Sequence, residues 1–322
     1  MEAEAASGSA GGWSKVGTSL PVTSVQALVA SAGELTVDKI GRYIQPDIDA
    51  HAVLPELSDE VPVIDLSKLL SAESAEAEIA KLRFACAEWG FFQVVNHGIP
   101  DEVIMGIKQD IQNFFRLPLE VKNEYAQRLG DLQGNCIEQY SSEVMKFTRS
   151  LAILIAKTLD VDPELVGDKH ASQFLRMNYY PPCTSTPEKV LGLSPHSDGS
   201  FLTILLEVNS VQGLQIRRHG AWIPVKPHCD ALLVNVGDLL EIMTNGKYKS
   251  IEHRVTINPH KERLSISAFQ IPNYDGIISP MLETAEQKIL YKTMKVGEYL
   301  RLYFSNKLEG KRALDYAKLS EI

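Results

Sequence analysis

Three side chains that could bind one metal ion occur in the second half of this 322-residue chain. One residue separates His196 from Asp198, and His253 follows much later in an apolar, β-rich stretch. On a strand, His196 and Asp198 would point to one face, because side chains alternate with a period of two. Two imidazoles and one carboxylate with open coordination positions are a donor set typical of non-heme Fe(II). We therefore predict a metal site at His196, Asp198 and His253.

A second pair of functional side chains, Arg263 and Ser265, follows shortly after His253. Their spacing on a strand would direct a guanidinium and a hydroxyl into the same cavity. Arginine stays charged and binds a carboxylate through two parallel hydrogen bonds. The pair therefore predicts a binding site for a dicarboxylate beside the metal.

Each feature alone has an ordinary structural explanation. Most histidines and aspartates are surface groups or hydrogen-bonded core groups. Arg263 alone would be read as a surface ion-pair partner of Glu262 or Asp238. The functional reading is favoured by the order of the motifs along the chain, which is His-x-Asp, then a distant His, then Arg-x-Ser.

In these motifs and in several others, the chain resembles the plant soluble 2-oxoglutarate/Fe(II)-dependent dioxygenases. The resemblance runs from about Val61 to the C-terminus. Within that family, the chain is most similar to the branch that contains alkaloid O-demethylases, norcoclaurine-synthase-like proteins and hormone-modifying oxidoreductases. The other matching segments are WGFFQVVNHG at 89–98, NYYPPC at 178–183, GLQI at 213–216, NVGD at 235–238 and SNK at 305–307.

The resemblance implies an α+β fold with a mostly β core. The core would be a double-stranded β-helix, or jelly roll, with an N-terminal helical layer and C-terminal helices. The implied cofactors are Fe(II), 2-oxoglutarate as co-substrate and O2, with ascorbate as a candidate reductant. The implied reaction is hydroxylation, demethylation or desaturation of a small hydrophobic metabolite of plant secondary metabolism, with succinate and CO2 as co-products.

The resemblance also implies a role for individual residues. No catalytic side chain is expected beyond the metal ligands. Arg263 and Ser265 would bind the far carboxylate of 2-oxoglutarate, and family precedent adds Tyr180 and Asn178 as further donors. Arg263 would therefore be the charged anchor of the co-substrate.

One segment of the family pattern is missing from this chain. Relatives carry some dozens of residues between the motif that ends here at Gly134 and the helix that begins here near Ile137. That segment usually supplies core strands and part of the substrate pocket, so its loss predicts an uncovered sheet edge. An alternative interpretation therefore stays open: the chain is a deletion variant that binds metal and 2-oxoglutarate but is catalytically impaired. A zinc hydrolase is less favoured, because it leaves Arg263 and Ser265 without a role.

Composition argues against several classes of partner. The 32 basic and 41 acidic residues give a net charge of −9, which disfavours a surface for nucleic acid or anionic membrane. The aliphatic run from Leu151 to Ala156 is far shorter than the roughly 20 residues of a membrane helix. Four scattered cysteines and the absence of a signal-peptide pattern favour reduced thiols. We expect a cytoplasmic monomer that acts on a small-molecule substrate.

The pattern along the chain predicts three regions. They are a disordered N-terminus at 1–20, a helical and mixed region at 21–160 that packs on the core, and a jelly-roll domain with C-terminal helices at 171–322. Apolar periodicity predicts helices at 25–32, 71–88, 101–115, 137–159, 297–304 and 313–319, with Asp101 as an N-cap. Short β-branched runs predict strands at 62–66, 91–95, 174–180, 202–208, 214–217, 222–225, 232–236, 250–256 and 264–269.

Overall fold

The structure is a computed structural model that describes residues 25–31, 40–44, 60–124, 135–167, 172–185, 187–228, 230–281, 287–305 and 312–319. The predicted disorder at 1–20 and the junction at Gly134 lie outside these residues.

Two β-sheets form the centre of the fold. The larger has the strand order β1-β2-β8-β5-β10-β3 and the smaller β4-β9-β6-β7. Among the described strands, only β1 and β2 pair in parallel. A short pair, β11 and β12, stands apart. The strands are β1 (Val63–Asp65), β2 (Phe91–Val95), β3 (Ser172–Tyr180), β4 (Leu191–His196), β5 (Leu202–Glu207), β6 (Leu214–Arg218), β7 (Ala221–Pro224), β8 (Leu232–Val236), β9 (His253–Thr256), β10 (Arg263–Ile271), β11 (Ile277–Ile278) and β12 (Met294–Lys295).

Seven described helices lie before β3 in the chain, and three follow β8. They are α1 (Val25–Ser31), α2 (Leu66–Leu69), α3 (Ala75–Phe84), α4 (Asp101–Arg116), α5 (Leu119–Glu124), α6 (Asn135–Leu159), α7 (Pro163–Gly167), α8 (Asp238–Met243), α9 (Val296–Ser305) and α10 (Arg312–Ala317). Short 3-10 turns lie at Gly41–Tyr43 and Pro187–Lys189, and a π-helical turn lies at Ala85–Trp89.

Side-chain alternation along the central strands divides the apolar core into two layers. On β8, Leu232 and Val234 pack in a cluster with the helices, whereas Leu233 packs between the two sheets. The long helix α6 contacts β3, β5 and β10 and packs against α3 and α4. A helical layer therefore covers one face of the larger sheet, and the smaller sheet covers the other. This arrangement confirms the predicted jelly roll.

Local structure departs from the sequence expectations at three points. Strand β4 ends at His196, so Asp198 lies beyond the strand, and the expectation that one strand carries both was wrong. The α-helix predicted at 71–88 begins only at Ala75, and after Phe84 its backbone continues as a π-helical turn. Asp101 is the first residue of α4 and not its cap, a position held by Pro100.

Gly90 lets the chain turn from that π-helical turn into β2. Its φ of +62° lies in the left-handed region, and a Cβ at this position would lie 2.1 Å from the Lys249 carbonyl oxygen. Only glycine meets both conditions without strain. The turn brings Phe91, the first residue of β2, onto the wall of the cavity between the sheets.

Strand β3 is the end strand of the larger sheet among the described residues. It pairs with β10 along its whole length, and its side chains are less buried than those of the central strands. Phe174, for example, is 38% exposed. None of the described helices is both long and apolar enough to cross a membrane.

Candidate active site

A cavity lies between the two sheets and collects nearly all of the residues singled out in the sequence. Its walls come from β2, β3, β5, β8 and β10 on one side and from β4, β6 and β9 on the other. Apolar side chains cover much of the wall, and polar groups gather at a few points. The lining includes Phe91, Leu193, Leu205, Leu214, Leu233, Val255 and Phe269.

His196, Asp198 and His253 meet in this cavity. His196 and His253 are opposite each other on β4 and β9. Nε2 of His196 lies 3.6 Å from Asp198 Oδ1, and Nε2 of His253 lies 3.7 Å from the same oxygen. The three candidate ligand atoms all lie within 4.8 Å of one another, and all three residues are buried. The donor set and its spacing fit one metal ion with further coordination positions open.

Backbone carbonyls fix the orientation of both imidazoles. Nδ1 of His196 lies 2.8 Å from the Ser194 carbonyl oxygen, and Nδ1 of His253 lies 3.2 Å from that of Ile251. A carbonyl only accepts, so each Nδ1 carries the proton and donates it. The Nε2 lone pairs are then left for a metal, as in most metal-binding histidines.

The carboxylate of Asp198 is held in the same manner. Thr203 Oγ1 donates to Asp198 Oδ2 at 2.7 Å, and Asn235 Nδ2 donates to the same oxygen at 2.9 Å. Oδ1 is therefore the oxygen left to face the histidines. Thr203 was not among the predicted site residues, although a hydroxyl within the apolar strand β5 is a signal. Asn235 lay in a matching segment, but its contact with Asp198 was not foreseen.

A buried aspartate anchors the loop that follows β4. Asp238 is fully buried, and its carboxylate accepts hydrogen bonds from Ser197 Oγ at 3.2 Å, Ser250 Oγ at 2.6 Å and Tyr299 OH at 2.6 Å. Its backbone N–H donates to the Asp198 carbonyl at 2.7 Å. These contacts hold Asp198 in place although it lies outside regular secondary structure.

The protonation states of the cluster suit metal binding. Burial, together with the neighbouring His253, lowers the pKa of His196 to about 4. Burial acts to raise the pKa of Asp198, but the two histidines and the hydrogen bonds from Asn235 and Thr203 bring it below its usual value. At neutral pH the site therefore offers a neutral imidazole at His196 and an ionised carboxylate, the forms that bind metal.

Four further predicted residues meet at another part of the wall. Arg263 and Ser265 are the first and third residues of β10, and they lie opposite Tyr180 and Asn178 of β3. The Arg263 guanidinium lies 5.4 Å from the centre of the Tyr180 ring, and Asn178 Nδ2 donates to Ser265 Oγ at 3.3 Å. Arg263 is only 2% exposed.

Arg263 is paired with a residue that the sequence analysis did not identify. Its Nη2 donates to Glu207 Oε1 at 2.8 Å, so neither Glu262 nor Asp238 is the partner that the surface reading named. Glu252, which precedes the metal ligand His253, accepts a hydrogen bond from Arg217 Nη1 at 2.8 Å. Arg176 also lines the cavity and was not predicted.

Comparison with known proteins gives a consistent result. Residues 171–272 match the 2OG-Fe(II) oxygenase superfamily, and residues 61–182 match the N-terminal region of the non-haem dioxygenases in morphine synthesis. The 2-oxoglutarate-dependent dioxygenase 11 of Oryza sativa subsp. japonica is 38% identical, with 94% of this chain and 98% of the relative covered. The chain belongs to this superfamily. It is a 2-oxoglutarate-dependent dioxygenase, and its cofactors are Fe(II) and 2-oxoglutarate.

Other similar proteins support the assignment of this dioxygenase. S-norcoclaurine synthase 1 of Coptis japonica is 38% identical, with the same coverage of 94% and 98%. The crystal structure of JOX2 in complex with 2OG, Fe and JA superposes with a TM-score of 0.81 at 30% identity. That superposition covers 94% of this chain and 99% of the other. The similarity therefore extends over almost the whole of each protein.

The alignments also show that this dioxygenase lacks residues that its relatives have. The alignment with the rice relative spans 350 positions, whereas 94% of 322 residues is about 303. About 47 positions therefore hold no residue of this chain. This number agrees with the expected length of the missing segment, which is some dozens of residues. The location of that segment after Gly134 stays a prediction.

Proposed function

We propose that this dioxygenase oxidises a small hydrophobic plant metabolite by hydroxylation, demethylation or desaturation. The observation that carries the proposal is the composition of one cavity. It holds the His196, Asp198 and His253 cluster, the Arg263 guanidinium, and seven leucine, valine and phenylalanine side chains on its wall. Such a pocket favours an apolar ligand placed by a few polar groups.

In this proposal, Nε2 of His196, Oδ1 of Asp198 and Nε2 of His253 hold Fe(II). When bound, Fe(II) supplies, with 2-oxoglutarate and O2, the oxidant that attacks a C–H bond, and succinate and CO2 are the co-products. Thr203 and Asn235 hold Oδ2 of Asp198, which keeps the carboxylate in one orientation. The protein thereby contributes a fixed set of donors.

The co-substrate would be held by residues of β10 and β3. Arg263 pairs with the far carboxylate of 2-oxoglutarate, and Ser265 Oγ donates a hydrogen bond to it, with Tyr180 and Asn178 as further donors. A buried Nε of Arg263 that has no hydrogen-bond partner among the described residues supports a ligand at this position. Burial raises the pKa of the Tyr180 hydroxyl, so this group stays a donor at neutral pH.

The remaining task of the protein is to orient the substrate and exclude water. Apolar side chains from both sheets, among them Leu193, Leu205 and Val255, surround the metal cluster. A dry, shaped site protects the reaction and fixes which C–H bond is attacked. We assign no side chain other than the metal ligands a direct role in the reaction.

Anaerobic titration of the purified protein with Fe(II) and then 2-oxoglutarate tests this proposal. Binding of both is expected to produce the metal-to-ligand charge-transfer absorption, and admission of air should then form succinate. Metal binding without this absorption would contradict the co-substrate role of Arg263. A protein that binds Zn²⁺ and does not respond to 2-oxoglutarate would contradict the oxygenase proposal altogether.

The second candidate is a variant that binds metal and 2-oxoglutarate but turns over substrate poorly. It is favoured by the roughly 47 alignment positions that this chain lacks and by the exposed side chains of end strand β3. Succinate formation in air separates the two candidates, because the impaired variant would show the absorption without turnover. We also propose that the protein is a cytoplasmic monomer without nucleic-acid or membrane partners.

A further inference from the structure

The ion pair between Arg263 and Glu207 lies where the co-substrate is proposed to bind. Glu207 is the last residue of β5 and shares a strand face with Thr203 and Leu205, which line the cavity. It also lies opposite Ser265 in the pairing of β5 with β10. Glu207 is therefore directed toward the same region as the predicted co-substrate residues.

The pair is buried and incompletely satisfied. The Arg263 side chain is 2% exposed and that of Glu207 is 17% exposed. Nη2 of Arg263 donates to Oε1 of Glu207, but Nε of Arg263 and Oε2 of Glu207 are buried and have no hydrogen-bond partner in the described part of the chain. Buried polar atoms of this kind are uncommon in folded proteins.

Glu207 accepts a hydrogen bond from Arg263 Nη2, a nitrogen that a bidentate ligand of Arg263 would also need. A guanidinium presents two edges to a carboxylate, one formed by Nε and Nη2 and the other by Nη1 and Nη2. Nη2 carries one N–H on each edge, so Glu207 occupies one of them, and a second carboxylate on the other edge would share Nη2 with Glu207. The two carboxylates would then lie side by side on one guanidinium and compete for its single charge.

Charge balance leads to the same result. The one positive charge of Arg263 is already matched by Glu207, and the other cation that acts on Glu207 is Lys108 of α4. Tyr180 and Arg176 of β3 lie on the cavity wall with Arg263, but Arg176 is exposed and does not pair with Glu207. A second carboxylate beside Glu207 creates a like-charge pair, and such a pair favours protonation of one member.

Resting on the proposed function of Arg263, we propose that Glu207 is an internal competitor of 2-oxoglutarate. Its carboxylate holds Arg263 before the co-substrate binds, and 2-oxoglutarate binding displaces it with uptake of one proton at Glu207. Glu207 thereby determines how tightly the dioxygenase binds its co-substrate and makes that affinity fall as pH rises. Burial raises the pKa of this carboxyl against the opposing charges of Arg263 and Lys108, so it takes up a proton more readily than an exposed glutamate.

Calorimetric titration of the metal-loaded protein with 2-oxoglutarate under anaerobic conditions tests the inference. Titrations at one pH in buffers of different ionisation enthalpy give the number of protons taken up. The unchanged protein should take up close to one proton, and its Kd should rise between pH 6 and pH 8. Uptake near zero, with a Kd independent of pH, would overturn the inference without any variant.

Glu207→Gln is the decisive variant, because glutamine keeps an acceptor for Arg263 Nη2 but carries no charge. We expect it to bind 2-oxoglutarate about 10-fold more tightly at pH 8, equivalent to about 1.4 kcal/mol, with no proton uptake. Glu252→Gln is the matched control, since Glu252 accepts from Arg217 at the same 2.8 Å and is not the partner of Arg263. Its 2-oxoglutarate affinity should equal that of the unchanged protein.

The outcomes separate this inference from the proposed function. If Glu207→Gln binds 2-oxoglutarate equally or more weakly, Glu207 is not a competitor, while the co-substrate role of Arg263 stands. If neither protein binds 2-oxoglutarate although both bind Fe(II), the proposed function fails and the inference falls with it. Thermal unfolding of both variants without 2-oxoglutarate shows that they are folded before the titrations are compared.

Discussion

The two polar regions of the cavity differ in how their side chains are satisfied. At the metal cluster, Nδ1 of His196 and of His253 each donates to a carbonyl, and Oδ2 of Asp198 accepts two hydrogen bonds. At the proposed co-substrate end, Arg263 Nε and Glu207 Oε2 are buried without a partner among the described residues.

This difference indicates how each end is prepared for its ligand. Outer hydrogen bonds that fix metal ligands give a site that needs little rearrangement when the ion binds. In the proposed model, the pair of Arg263 and Glu207 instead holds one arrangement that 2-oxoglutarate replaces. We infer that the metal end is preorganised, whereas the co-substrate end rearranges.

The largest expected effect tests the metal end. Asp198→Ala removes the carboxylate that both histidines face, so Fe(II) affinity and succinate formation should fall together by more than about 100-fold, the upper range for outer-shell groups. Equilibrium binding measures the Fe(II) affinity, and a succinate assay measures the activity. The exposed Asp275→Ala is the control, and succinate formation at the unchanged rate in Asp198→Ala would disprove the ligand assignment.

The second-largest expected effect tests the proposed co-substrate end of the cavity. Arg263→Leu removes the charged anchor, and charge-assisted hydrogen bonds contribute about 1.5–3 kcal/mol, so 2-oxoglutarate affinity should fall by about 10- to 150-fold with Fe(II) affinity unchanged. Anaerobic titration measures both affinities. The double variant Glu207→Gln/Arg263→Leu removes the carboxylate that would otherwise be left unpaired. An unchanged 2-oxoglutarate requirement in either variant would remove Arg263 from the co-substrate role.

Acidification of the metal-free protein probes the preorganised end through stability. The folded pKa of His196 is about 4 and its ordinary value is 6.5, so between these values the unfolded chain binds a proton that the folded chain excludes. The contribution of His196 is complete above pH 6.5 and is lost as pH falls toward 4. From pH 7 to pH 5, the free energy of unfolding should fall by about 2 kcal/mol more than in His196→Asn.

Urea unfolding at the two pH values measures this difference. Comparison with His196→Asn removes the contributions of other groups, such as His97, whose pKa burial also lowers, and Glu207, whose pKa burial raises. Equal pH dependence in the two proteins would show that His196 is not held in the neutral form by the fold.

The smallest expected effect concerns Thr203, whose hydroxyl donates a hydrogen bond to the Asp198 carboxylate. Thr203→Val keeps the shape of the side chain and removes one hydrogen bond to Oδ2, so Fe(II) affinity should fall about 10-fold, at the low end for outer-shell groups. Thr256→Val is the control, because Thr256 Oγ1 donates to the Gly213 carbonyl, away from the metal cluster. Equal Fe(II) affinity in Thr203→Val and the unchanged protein would mean that Asn235 alone orients the carboxylate.

Much of the fold was accessible from local patterns. Alternating and β-branched runs correctly predicted β8 at Leu232–Val236, and the apolar stripe correctly predicted the long helix α6. The change from α to π geometry after Phe84 was not foreseen, because the apolar spacing of 71–88 continues through the π-helical turn. Within that turn the Cys86 carbonyl accepts a hydrogen bond from the backbone N–H of Lys249, a residue far along the chain.

The sequence by itself determined the chemical inventory of the site, with two imidazoles, a carboxylate and a guanidinium in a recognisable order. It also determined that Arg263 and Ser265 share a face, because period-two alternation is a local property of a strand. Only the tertiary structure decided that Asp198 lies beyond β4, that Thr203 holds it, and that Glu207 is the partner of Arg263. These contacts depend on which strands pair and in which register, and that is set by packing of the whole core.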